Sequence, residues 1–164
     1  MMWFVALLRA VNVGGTGKLA MSELRAICED AGLDAVQTYI ASGNVVFRSD
    51  LDEAAIKAAL QDRLATGILV RTGPELAEIL DANPFRQAPG NRVTVIFLDE
   101  PASPGLLDQV TGRADDEQLR IGRREIYVHY GSGIGASKLR IPAAARGTAR
   151  NINTVARLAA MACG

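Results

Sequence analysis

A glycine-rich stretch near the N-terminus has the residue types that bind anions. The apolar segment from Trp3 to Leu8 leads into it, and it ends at Lys18. A strand that passes into a helix through glycines brings backbone N–H groups close to a bound group, which is often an anion. The stretch is not a Walker A loop, because Asn12 stands where that motif begins with glycine and Leu19 stands where its hydroxyl would contact magnesium. A flexible connection between strand and helix is the alternative interpretation.

Two later stretches, residues 131–138 and 148–154, place polar side chains where helices are predicted to begin. A helix N-terminus favours an anion through its dipole, and capping of the second helix needs only one side chain, from Thr148 or Asn151. The remaining polar groups indicate a hydrogen-bonding site. For residues 131–138 the alternative is a turn after an edge strand. For residues 148–154 the alternative is a polar cluster that attaches the tail to the domain. The polar members of the two stretches are Ser137, Lys138, Arg150, Asn151 and Asn153.

The side chains most often used in catalysis are few and scattered. His129 is the sole histidine, and Cys28 and Cys163 lie at opposite ends of the chain, outside any metal-ligand spacing. We therefore predict no metal and no cofactor, and we expect Cys28 to be buried and inert. Whether the protein is an enzyme stays open, because no nucleophile and base stand together in the sequence.

The composition is typical of a globular protein outside the membrane. Of the 164 residues, 49% are apolar and 22% are charged. No apolar run approaches the roughly 18 residues that cross a bilayer, and no basic residue precedes the N-terminal apolar segment, as one would in a signal peptide. We expect a cytoplasmic protein with reduced cysteines and no membrane partner.

The zero net charge hides an asymmetry between the two ends of the chain. Residues 120–164 contain eight Lys and Arg with Glu125 as the one acidic residue, whereas residues 1–119 contain 10 basic and 17 acidic residues. The C-terminal part therefore carries about +7. Such a face could meet phosphate, nucleic acid or an acidic partner, or it could dock on the acidic part of its own chain.

Apolar periodicity predicts an α+β fold that begins with a ferredoxin-like βαββαβ unit. Its helices are predicted to begin at Ser22 and Asp52, the first ending at Gly32, and a turn at residues 42–44 joins the second and third strands. We assign residues 1–73 to this subdomain and residues 74–164 to a second, smaller α+β subdomain with a C-terminal helix. The second subdomain is predicted to contain a helix after Pro74, a strand over 93–98, a short helix between Pro104 and Val110, a hairpin over 118–130 and a helix over 151–161.

Three stretches recur together, and in this order, in one protein family. They are residues 6–15 with Lys18 and Met21, residues 38–47, and residues 133–139 with 148–155. Together they resemble the bacterial proteins catalogued as domain of unknown function 1697. The chain departs from that pattern at Ala10, Ala20 and Ile152, where the family usually has glycine, proline and an aromatic residue. The resemblance implies an α+β fold with a ferredoxin-like N-terminal part, and it implies no established activity.

The same resemblance groups the polar and glycine positions into one hypothetical site. We predict that the first loop, the start at Ser137 and the start at Arg150 converge on a pocket for a small phosphate- or carboxylate-bearing ligand, such as a nucleotide. Nucleic-acid binding through the basic C-terminal segment is one alternative, and a protein–protein interaction module is another; the oligomeric state stays open. The candidate ligand-binding residues are Arg9, Asn12, Gly14, Gly15, Lys18, Ser42, Asn44, Ser137, Lys138, Arg150, Asn151 and Asn153.

Overall fold

Two four-stranded antiparallel sheets organise the part of the chain that the computed structural model describes, residues 1–9, 20–39, 43–64 and 66–163. The chain divides into two compact units, Met1–Ala77 with Arg157–Gly164, and Glu78–Ala156. This grouping differs from the division predicted at residue 73, since the last residues of the chain belong with the first unit. The protein is α+β, as the sequence predicts. Within these residues no helix is long and apolar enough to cross a membrane.

The first sheet has the strand order of a ferredoxin-like fold. Its elements are β1 (Met2–Leu8), α1 (Met21–Asp30), β2 (Asp34–Tyr39), β3 (Asn44–Ser49), α2 (Glu53–Gln61) and β4 (Ile68–Thr72). The strands are arranged β2-β3-β1-β4, and every neighbouring pair is antiparallel. Each helix connects two strands that are not neighbours, which is the split βαββαβ arrangement. The prediction for the N-terminal unit is confirmed.

One face of this sheet carries the hydrophobic core of the unit. Phe4, Ala6 and Leu8 alternate along β1 and therefore point to the same face, where all three are buried. Phe4 stacks on Phe47 of the neighbouring strand with ring centroids 6.0 Å apart. Leu24 of α1 belongs to the same cluster and is fully buried. The strand order makes β1 one of the two inner strands of this sheet, next to β3.

Local sequence signals explain one end of each of the helices α1 and α2. The Asp52 side chain accepts the Ala55 N–H at 2.8 Å and caps α2, as predicted. Gly32 adopts a φ of +86° just beyond α1, which is the left-handed conformation that favours glycine at this position. The predicted cap Ser22 is wrong, because α1 begins one residue earlier and Ala20 occupies the N-cap position without a side-chain hydrogen bond.

The second sheet repeats the strand order of the first. The helices and strands from residue 73 onward are α3 (Gly73–Asp81), β5 (Val93–Phe97), β6 (Glu117–Ile121), β7 (Glu125–Tyr130), β8 (Thr148–Asn151) and α4 (Ile152–Met161). The strands are arranged β6-β7-β5-β8, all antiparallel, so β5 to β8 take the places of β1 to β4. Short 3₁₀ turns at Leu106–Gln109 and Pro142–Arg146 lie in the connections where the first unit has α1 and α2.

The second unit also corrects three local predictions. The short helix before Val110 is a single 3₁₀ turn, and the glycine-rich stretch 131–138 contains a 3₁₀ turn at Ile134–Ala136 rather than the start of a helix. The predicted helix start at 148–151 is instead strand β8, because these residues pair with β5. Pairing with a distant strand overrides the local polar pattern, since propensity is the weaker influence. The helix itself begins at Ile152.

Candidate functional site

Two predicted site residues lie at the same end of the first sheet. Arg9 follows directly after β1, and the Leu8 N–H donates to the Gly43 carbonyl at 2.9 Å, so the end of β1 lies beside the start of β3. Asn44 is the first residue of β3 and pairs with Leu7. The antiparallel register therefore brings Arg9 and Asn44 to one edge, although they are far apart in the sequence.

Residues before β4 fix the position of Arg9. The Arg9 N–H donates to the Gly67 carbonyl at 2.9 Å, and the Thr66 hydroxyl donates to the Arg9 carbonyl. The side chain of Arg9 lies against Gly67, because a Cβ atom added there would come within 3.0 Å of Arg9 Cδ and 3.2 Å of its Nη1. Nothing in the local sequence identified Thr66 or Gly67 as supports for this arginine.

Asn44 has a structural role in the hairpin. Its side chain is buried, and its amide nitrogen donates to the Tyr39 carbonyl at 3.0 Å, which ties the start of β3 to the end of β2. Asn44 itself is the first residue of β3, and the part of the predicted turn that falls on Ser42 lies outside the described residues. Five other predicted residues lie outside the described residues: Asn12, Gly14, Gly15, Lys18 and Ser42.

In the second unit, Ser137 is engaged with a buried carboxylate. Its hydroxyl donates to Glu117 Oε2 at 2.5 Å and accepts the Leu139 N–H at 3.1 Å. Lys138 is exposed, and its carbonyl oxygen lies against Gly112, where an added Cβ would come within 2.1 Å of it. These contacts make residues 137–139 part of the packing around the start of β6.

Arg150, Asn151 and Asn153 surround the junction of β8 and α4. Burial lowers the pKa of Arg150 to about 10, and its Nη1 donates to Thr148 Oγ1 at 2.6 Å and to the Ala149 carbonyl at 2.9 Å. Asn151 caps α4 by accepting the Thr154 N–H at 2.9 Å, which is one of the two caps predicted.

Asn153 packs closely on a glycine. A Cβ atom added at Gly90 would come within 2.1 Å of Asn153 Oδ1. The second sheet separates this group from Ser137, because Ser137 is bonded to β6 at one edge and Arg150 belongs to β8 at the other. Two intervening strands place β6 and β8 about 14 Å apart. The structure therefore does not bring Ser137 and Arg150 together.

Cys28 and His129 each pack within their own unit. Cys28 is fully buried, and burial, followed by the Glu29 carboxylate, raises the pKa of its thiol to about 11. His129 packs its ring against Phe85 with centroids 5.5 Å apart. Across the described ranges no three His, Cys, Asp or Glu side chains are placed to hold a metal ion.

Comparison with known proteins agrees with this fold. A family model described as "Protein of unknown function (DUF1697)" matches residues 1–127, and the chain belongs to that family. The match contains the first two stretches that carried the resemblance, and the third lies beyond it. A conserved bacterial protein from Streptococcus pneumoniae has a similar structure, with a TM-score of 0.80 at 24% sequence identity over 97% of each chain. The comparison with curated proteins gives no match.

Proposed function

We propose that this protein binds a small phosphate- or carboxylate-bearing ligand at the end of the first sheet where Arg9 follows β1. The observation that supports the proposal is the register of β1, β3 and β4. It brings Arg9, Gly43 and Gly67 to one edge. The sequence that follows Arg9 is the glycine-rich stretch ending at Lys18, and the residue before Gly43 is Ser42. Arg9 and Gly43, the described residues next to these two stretches, therefore lie at one edge of the sheet.

The charge of this segment favours an anion. Residues 9–22 contain Arg9 and Lys18 and no Asp or Glu, within a half of the chain that is otherwise acidic. Glycines let the backbone approach a phosphate or carboxylate closely, so that N–H groups can donate to it. A guanidinium adds charged hydrogen bonds with the planar geometry that matches both kinds of anion. In the proposal, Asn44 maintains the turn and Arg9 and Lys18 supply the charge.

The candidates of the second unit enter the proposal in different ways. Asn151 and Ser137 have hydrogen-bond partners within their own unit, and the Asn153 side chain packs against Gly90. Arg150 is the residue of this group that we retain as a ligand-binding candidate, because its guanidinium is held half-buried at the edge of a sheet.

The test is a ligand screen by thermal shift, followed by calorimetry. The purified protein is screened against inorganic phosphate, nucleotides, sugar phosphates and dicarboxylates, since binding to the folded state raises the melting temperature. We expect Arg9→Ala and Lys18→Ala each to remove charged hydrogen bonds worth about 1.5–3 kcal/mol, which is about ten- to a hundredfold in affinity. Arg25→Ala is the matched control, because Arg25 is an exposed arginine of the same unit.

Substitution of Gly67, which lies against the Arg9 side chain, distinguishes the effect of the position of Arg9 from the effect of its charge. Gly67→Ala keeps every cation but places a methyl group within 3.0 Å of Arg9 Cδ, and Gly67 is not among the glycines with positive φ. We expect its affinity to fall between those of the wild type and Arg9→Ala. If no small anion raises the melting temperature, or if Arg25→Ala weakens binding as much as Arg9→Ala, the proposal is rejected.

Nucleic-acid binding is the second candidate, and the exposure of the basic hairpin region favours it. Five exposed cations occur between residues 120 and 146, while the one acid in that range, Glu125, is buried. They are Arg120, Arg123, Lys138, Arg140 and Arg146. Binding through such a surface should weaken steeply with salt and should not discriminate among sequences. A fluorescence anisotropy titration of short DNA and RNA at several salt concentrations measures this, and an affinity independent of salt would exclude it.

A further inference from the structure

An open groove lies along one edge of the second sheet. Its volume is about 340 Å³, and it is lined by Leu107, Val110, Arg113, Gln118, Leu119 and Arg120. Three of these residues are consecutive in β6, one of the two edge strands of the sheet. Successive side chains of a strand point to opposite faces, so a groove that contacts three consecutive residues runs along the free edge.

The strand register turns one unpaired backbone donor toward this groove. The Gly122 N–H donates to the Glu125 carbonyl at 2.8 Å, which makes residues 122 and 125 a hydrogen-bonded pair of the β6–β7 hairpin. Because such pairs alternate along an antiparallel ladder, Arg120 and Gln118 direct their backbone groups toward β7. Leu119 between them directs its N–H outward, and in the part of the chain that the structure describes this N–H has no hydrogen-bond partner.

Two arginines flank this N–H. Arg113 Nη1 donates to the Glu117 carbonyl at 2.6 Å, and Arg120 Nη1 donates to the Leu119 carbonyl at 2.9 Å. Both side chains therefore lie along the outward edge of β6. Among the described residues neither arginine forms an ion pair. The nearby Glu117 carboxylate is occupied, since it accepts the Ala114 N–H at 2.8 Å and the Ser137 hydroxyl.

We propose that this groove binds a small organic acid that has an apolar body. The carboxylate accepts hydrogen bonds from the Leu119 N–H and from the guanidinium groups of Arg113 and Arg120. Each guanidinium has five N–H donors, more than its backbone bonds use. The apolar part of the acid contacts Leu107 and Val110, which line the same groove.

The dimensions and the apolar lining define the class of ligand. A volume of about 340 Å³ is at the small end of the range for ligand pockets. Leu107 and Val110 have no side-chain hydrogen-bond donors for a phosphate or a ribose. A carboxylate on a short aliphatic or aromatic group therefore fits the groove better than a nucleotide does. This site is in the second unit and is distinct from the one proposed beside Arg9.

Titration by ¹H–¹⁵N NMR tests the proposal on the wild-type protein. Hexanoate is compared with hexanamide, which has no charge, with hexylammonium, which has the opposite charge, and with acetate, which has no apolar body. We expect hexanoate to shift the Leu119 amide resonance and to bind at least about tenfold more tightly than acetate. Hexanamide and hexylammonium should leave that resonance in place.

Variants then identify the groups responsible. The double variant Arg113→Gln with Arg120→Gln keeps hydrogen-bonding side chains of similar shape and should weaken hexanoate binding at least about tenfold. Arg123→Gln, in the exposed turn of the same hairpin, is the matched control and should bind as the wild type does. The Leu119 amide resonance reports on this groove and not on the site proposed beside Arg9.

Three results overturn the proposal. One is an unchanged Leu119 resonance at saturating hexanoate, and another is an equal response to hexanamide. The third is binding of peptides that end in a free carboxylate without binding of hexanoate, which would make the edge of β6 a protein-docking surface instead.

Discussion

Because the thiol of Cys28 is buried, we predict that the protein loses stability as the pH becomes alkaline. The pKa of this thiol is raised from 9.0 to about 11, mainly by burial and further by the Glu29 carboxylate. The folded protein therefore holds the thiol proton more tightly than the unfolded chain does. The resulting stabilisation is present in full below pH 9 and is lost as the pH rises toward 11. With these two pKa values, the free energy of unfolding falls by about 1.4 kcal/mol between pH 7 and pH 10.

Urea denaturation followed by circular dichroism measures this loss. The comparison is between Cys163→Ser and the same protein with Cys28→Ala added. Burial also raises the pKa of Tyr127, to about 12, and the pKa of Tyr130. These tyrosines titrate in both proteins, so their contribution cancels in the difference. The Cys28→Ala substitution adds a constant penalty for the lost side chain, and the slope with pH identifies the thiol.

The result that refutes this reasoning is an identical pH dependence in the two proteins. A second readout is independent of denaturation. In the wild-type protein a thiol reagent should modify the exposed Cys163 and leave Cys28 unmodified, because the thiolate is the reactive form and the buried thiol stays protonated. Modification of both cysteines at the same rate in the folded protein would show that Cys28 is accessible.

Two further predictions concern the second unit and the helix that follows it. Asn151→Ala removes the cap of α4 and should lower the free energy of unfolding by about 1 kcal/mol, whereas Asn151→Asp, which can accept the same hydrogen bond, should lower it much less. Gly112→Ala combines a φ of +74° with a Cβ placed within 2.1 Å of the Lys138 carbonyl oxygen, so it should cost at least about 1 kcal/mol. Gly105→Ala has open space and a φ of −91°, and it should be neutral or slightly stabilising. Urea midpoints of the four variants test these expectations. Equal midpoints for Gly112→Ala and Gly105→Ala would contradict the prediction for the two glycines.

Sequence patterns predicted the architecture of the first unit because each of its elements has a local cause. β1 is apolar along nearly its whole length, and Asp52 and Gly32 mark helix ends by side-chain and backbone preferences that do not depend on distant residues. The β6–β7 hairpin was also predicted, since its strands adjoin in the sequence. Ser22 is not the cap, because α1 begins at Met21 with Ala20 at the N-cap position, and a helix can begin without a side-chain hydrogen bond.

The sequence by itself determined the family, the α+β class and the order of most elements, together with Arg9 and Asn44 as candidates. Tertiary structure alone decided that β8 is a strand, because a polar segment becomes one only when β5 pairs with it. Only the tertiary structure places Gly67 against the side chain of Arg9. Only the tertiary structure directs the Leu119 N–H toward the groove that Arg113 and Arg120 line. The physical reason is the same in each case. Periodicity reports which residues are buried, whereas the pairing of distant strands decides which groups meet at an edge.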